Sequence, residues 1–84
     1  MPGGTQPSQT DEERALIAVI RARMDALGIS QAELARRVGL AGSTLNEIFH
    51  GKKLLRWWQV IEIARALGVQ AADLVAEAEK SGQL

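Results

Sequence analysis

The chain has 84 residues, with 10 basic and 10 acidic side chains, so its formal net charge is zero. An apolar share of 46% suits a folded protein, and this length allows one small domain. The absence of Cys excludes a disulfide scaffold, a thiolate nucleophile and a cysteine-based zinc site, and one His with no Tyr leaves the usual acid–base toolkit nearly empty.

No nucleophile, base and oxyanion donor can be assembled from what remains, so no enzyme, cofactor or metal is expected. Residues 1–9 are Met followed by Pro, Gly, Thr, Gln and Ser, without an apolar period or the charged start of a secretory signal. They read as a flexible tail. No apolar run approaches the ~20 residues of a membrane span, so a soluble, cytoplasmic domain is expected, with no membrane partner.

Order is predicted to begin at Thr10. Thr10-Asp11-Glu12-Glu13 is a capping box, and Leu16, Ile17, Ile20, Met24 and Leu27 recur at helical spacing before Gly28. The first helix is therefore placed over about 11–27. Ser30-Gln31-Ala32-Glu33 is a second capping box, with Ile29 able to staple on Leu34. That helix spans about 31–38, buries Leu34 and Val38, and stops at Gly39. A third runs from near Gly42 to His50, with Leu40 and Leu45 as its staple and Gly51 as its stop. Its cap position holds Ala41, which costs roughly 1 kcal/mol against Ser.

Lys52–Leu55 reads as a basic loop. Trp57, Val60, Ile61, Ala64 and Leu67 predict a fourth helix ended by Gly68, with Trp57 in the core. Val69-Gln70 leads into a fifth, about 71–80, carrying Leu74 and Val75, and residues 81–84 read as a flexible end. No alternating strand pattern occurs. The expectation is an all-α domain over residues 10–80, five short helices around one core.

The neutral total conceals a basic middle. Residues 1–20 and 57–84 each carry a net charge of −2, whereas residues 21–56 carry +4. Such a pattern suits a polyanionic partner, although mixed solvated faces can look similar.

Gln31–His50 has the spacing of a helix-turn-helix: two short helices, Gly39 able to turn left-handed, and small Ala35 where the helices cross. The other reading is a generic helical hairpin. Here the sequence resembles the Cro/repressor-type, lambda repressor-like family. The resemblance covers about residues 16–75, through Met24-Asp25-Ala26-Leu27-Gly28, Ile29-Ser30-Gln31-Ala32-Glu33-Leu34-Ala35, Gly39, Ser43-Thr44-Leu45, Gly51-Lys52 and Ile63-Ala64-Arg65-Ala66-Leu67-Gly68-Val69. Gly51–Trp58 is also, more weakly, similar to helix-turn-helix domains at the head of longer actinobacterial proteins, which leaves open both a whole protein and a piece of a longer one.

The resemblance implies a bacterial, repressor-like regulator that binds double-stranded DNA with its third helix in the major groove. At 100° per residue, Leu45, Ile48 and Phe49 share one side of that helix, and Ser43, Asn46, Glu47 and His50 the other. Base reading is assigned to Gly42, Ser43, Asn46 and Glu47. Asn can pair with adenine, Glu can accept from cytosine N4, Ser can bond to either, and Gly42 allows close approach. A polar outer face is also what any surface helix has. Phosphate binding is assigned to Gln31, Thr44, Lys52, Lys53 and Arg56, the counterpart of Gln31 making that contact in the family. The plain alternative for the three cations is a solvated loop.

Two departures from the family stand out. It commonly has an ion pair where Met24 and Phe49 stand, and here these two are expected to pack together. Trp58 is expected to be partly exposed, either as an interface anchor or as a ring lying over Ile61 or Arg65. Because one helix-turn-helix reads few base pairs, a homodimer is expected, pairing through Trp58, Leu74 and Val75. No small-molecule pocket is foreseen. The rival function is a protein–protein interaction module on the same fold.

Overall fold

Five α-helices make up the computed structural model, which describes residues 10–82. They are α1 (Asp11–Leu27), α2 (Gln31–Val38), α3 (Gly42–Phe49), α4 (Trp57–Leu67) and α5 (Ala71–Gly82). The tail expected over residues 1–9 lies outside the described residues, as do 83–84. α5 continues to Gly82, two residues into the segment read as a flexible end.

Local chemistry accounts for the helix starts. Thr10 Oγ1 accepts the Glu13 N–H at 3.1 Å, and Glu13 Oε1 accepts the Thr10 N–H at 2.9 Å, so the first capping box is complete. The second is half made. Ser30 Oγ accepts the Glu33 N–H at 3.1 Å, but the Glu33 carboxylate turns forward to Arg36 and Arg37. Two guanidinium groups one turn on outcompete a single backbone N–H. Ala41 gives α3 no side-chain cap, as its methyl group dictates. Between α2 and α3, Gly39 takes φ 73°, where an L side chain would be strained.

Every helix contributes to the core. Ile20 of α1, Leu34 of α2, Leu45 and Ile48 of α3, Ile63 of α4 and Leu74 of α5 are fully buried. Met24 and Phe49 belong to the same buried cluster, so both positions are apolar core. The Arg21 guanidinium caps this region, 5.4 Å from the centre of the Phe49 ring. α1 and α5 lie side by side and are tied by Arg23 and Glu77, whose carboxylate pushes the Arg23 pKa further up.

Three expected burial assignments change. Trp57 is 61% exposed and is not a core residue. The buried stripe of α4 is Gln59, Val60, Ile63, Ala64 and Leu67, which leaves Trp57 about 90° to one side in the first turn. Leu27 follows the α1 period but is 53% exposed. Leu74 is fully buried, so it belongs to the core and is unavailable to a pairing surface.

Candidate nucleic-acid interface

The α2–α3 unit is fixed from beneath by Leu34, Leu45 and Ile48, and this burial sets which side of α3 faces outward. Gly42, Ser43, Asn46 and His50 are exposed and Glu47 is half-buried, whereas Thr44 sits on the flank. The expected reading face therefore lies on one side of the helix. His50 Nδ1 is 2.8 Å from the Asn46 carbonyl and closes the C-terminal turn, so its ring is engaged with the backbone.

The two flanks of α3 differ. On one, Gln31 Nε2 at the start of α2 donates to Asn46 Oδ1 at 3.1 Å. A residue assigned to phosphate and one assigned to a base are thus already joined. On the other flank the chain turns back at Gly51, with φ 81°, and the Lys52 N–H donates to the Glu47 carbonyl at 2.8 Å. This return places Lys53 Nζ 3.6 Å from Glu47 Oε1. Thr44, Lys52, Lys53 and Arg56 line a shallow groove of about 310 Å³, floored by Ile48 and Gln59. Four of the five assigned phosphate ligands are therefore together at one edge of α3, and Gln31 is at the opposite edge.

A helix-turn-helix domain family matches residues 15–78, across all the elements just described. The chain belongs to the repressor-type helix-turn-helix family. Repressor protein C of Rhizobium phage 16-3 is 37% identical over 60 residues, covering 70% of this chain but only 22% of the phage protein. Two crystal structures of the clp gene regulator ClgR from Corynebacterium glutamicum have the same fold. One has a TM-score of 0.79 at 28% identity, covering 86% of this chain and 77% of the other. The second has 0.75 at 28% identity, with 83% and 91% covered. The domain is of the kind that transcriptional regulators use to bind DNA.

Around this helix-turn-helix the sequence reading missed two supports. Glu13, assigned only to the capping box, also accepts the Leu55 N–H through Oε2 at 3.2 Å. One carboxylate so pins both the start of α1 and the loop that carries Lys52, Lys53 and Arg56. The capping box already accounts for a Glu at that position, so no signal marked its second contact. Arg37 Nε binds Glu33 at 2.8 Å and Nη1 reaches the Ala66 carbonyl at 3.4 Å, tying α2 to α4.

Of the residues expected for pairing, Leu74 is buried and Trp58 and Val75 lie on different helices. Trp58 is 53% exposed and points away from the core stripe of α4. Val75 is half-buried in a hollow between α1 and α5, beside Leu16 and Ala78. Among the described residues no helix is long and apolar enough to cross a membrane, and no cluster of three metal-ligating side chains occurs.

Proposed function

We propose that this domain gives a bacterial, cytoplasmic transcriptional regulator its sequence-specific DNA contacts, with α3 seated in the major groove. The observation that carries this reading is the outer face of α3. Ser43, Asn46 and Glu47 stand between Gln31 on one flank and the basic groove of Lys52, Lys53 and Arg56 on the other. Asn46 suits the N6/N7 edge of adenine, Glu47 the amino group of cytosine, and Ser43 either. Gly42, without a Cβ, lets the helix start approach the duplex. Gln31, Thr44 and the three cations hold the backbone on either side, fixing register without reading sequence. The role is binding rather than catalysis. The chain acts as a homodimer on two half-sites about one helical turn, ~34 Å, apart.

The test is the salt dependence of binding to a labelled duplex, followed by fluorescence anisotropy. Three cations per protomer predict a log–log slope near −2.7 for each protomer bound, so the affinity of a single protomer for an unselected duplex falls about 40-fold between roughly 50 and 200 mM salt. Lys53→Ala and Arg56→Ala each reduce the magnitude of that slope by about 0.9. Absence of binding at low salt overturns the reading. The second reading, a protein-docking module, is favoured by one observation: Trp57 and Trp58 are adjacent and both more than half exposed, at 61% and 53%. A chain that ignores DNA and is captured through these two rings supports it.

A further inference from the structure

We infer that Glu47 and Lys53 act as one reading unit, in which Lys53 sets the base preference of Glu47 for cytosine as well as holding the DNA strand. The inference rests on the DNA-binding reading above and assigns Lys53 a positioning role.

The two side chains meet because of the loop between them. Gly51 adopts φ 81° and the Lys52 N–H closes on the Glu47 carbonyl at 2.8 Å, so the next residue returns along the flank of α3. Lys53 Nζ then lies 3.6 Å from Glu47 Oε1, with the two side chains 54% and 45% exposed. An ion pair this open to water contributes little to folding stability. Its consequence is electrostatic and falls on the reading face.

A lone carboxylate entering a groove walled by phosphates is repelled from both strands. It can act there only by accepting from a base amino group, and the major groove offers two: adenine N6 and cytosine N4. Adenine presents the N7 acceptor beside its amino group, which opposes a carboxylate, so cytosine is the fitting base. Lys53 reduces the remaining obstacle. From 3.6 Å its ammonium offsets part of the carboxylate charge without taking up an oxygen in a hydrogen bond, leaving the carboxylate able to accept from the cytosine amino group. Because Lys53 also borders the groove of Thr44, Lys52 and Arg56, its three N–H donors can serve a phosphate and Glu47 together. The opposite flank offers a neutral counterpart in the Gln31–Asn46 bond, where no charge needs cancelling.

Binding sites selected from a random duplex library, for the wild type, Glu47→Gln, Lys53→Met and the double variant, test the inference. Met keeps much of the lysine stem, Gln keeps the size and shape of Glu, and Lys53 is exposed while Glu47 is half-buried, so the fold is expected to be retained, which circular dichroism verifies. The wild type is expected to prefer cytosine roughly tenfold or more at one position of each half-site. Each single variant lowers that preference to about twofold or less, and the double variant lowers it no further, as members of one unit do. If Lys53→Met weakens all sequences equally, shifts the salt slope by about 0.9 and keeps the cytosine preference, Lys53 is a phosphate ligand alone and the inference is overturned. A wild type with no cytosine position that depends on Glu47 overturns it as well. A wild type that binds no duplex at low salt is a different result, since it removes the DNA-binding reading itself.

Discussion

α2 and α3 are both eight residues long and stand side by side, yet they are stabilised in different ways. α2 is supported by its own sequence. Ser30 caps its start, Glu33 pairs with Arg36 and Arg37 along its outer face, and Gly39 closes its end. α3 has Ala41 at its cap and, among the described residues, no side-chain ion pair within the helix. What holds it is the burial of Leu45, Ile48 and Phe49 beneath, and the polar links of Asn46 and Glu47 to neighbouring segments. Helices this short do not persist alone in water, so each depends on the core. The difference is in the outer side chains. The charged side chains of α2 pair with one another through Glu33, Arg36 and Arg37, and the outer side chains of α3 point to where a ligand would lie, which is how a supporting helix differs from a presenting one.

The largest effects should come from removing what the two helices share. Phe49→Ala is expected to cost about 3–5 kcal/mol, because it empties a site in the buried cluster and removes the ring under Arg21. Leu34→Ala and Leu45→Ala, one on each helix and both fully buried, are each expected to cost about 2–5 kcal/mol. Urea unfolding followed by circular dichroism measures all three. A Phe49→Ala protein as stable as its parent would show that α3 does not depend on its buried face.

Next in size is the joint. Gly39→Ala puts a Cβ on a residue at φ 73°, a position with open space around it, so the cost is conformational alone, about 1–2 kcal/mol. A fall in DNA affinity beyond what unfolding explains would show that the angle between α2 and α3 has shifted. Glu13→Gln tests the support from outside the pair. An amide nitrogen cannot accept the Leu55 N–H, so a loss of about 1 kcal/mol in stability is expected. Affinity for DNA should drop with it if the basic loop is held by this bond, and retention of full affinity would assign Glu13 to the fold only.

How much of this was legible in the sequence depended on range. Helix starts and stops are local, and Thr10, Ser30, Gly28, Gly39 and Gly68 marked them from their own chemistry. The outward side of α3 was legible because three apolar residues and four polar ones divide its circumference cleanly. α4 was harder. A stripe through Trp57, Val60, Ile61, Ala64 and Leu67 and one through Val60, Ile63, Ala64 and Leu67 have three members in common, and only packing decides between them. Buried Gln59 disguised the phase further. Its Oε1 accepts the Arg56 N–H at 2.8 Å, a partner that lets a polar side chain lie inside. The bond from Leu55 to Glu13 spans 42 residues and left no pattern to read.

The smallest effects address the caps, where the two helices differ most plainly. Ser30→Ala should cost α2 about 1 kcal/mol, since its hydroxyl is the acceptor for the Glu33 N–H. The reverse change on α3, Ala41→Ser, should add up to about 1 kcal/mol, because the backbone already has the extended cap geometry, with φ −65° and ψ 145°. Ala41→Asp supplies the same kind of acceptor, and its charge also suits a helix start. Their stabilities should therefore rise together in thermal unfolding. Their affinities for DNA should separate. A neutral hydroxyl at the mouth of α3 leaves the approach to phosphates nearly unchanged, whereas a carboxylate there faces them directly. If Ala41→Asp binds as tightly as Ala41→Ser at low salt, the start of α3 does not meet the backbone. The poor cap is then only a local weakness rather than a consequence of what the helix presents.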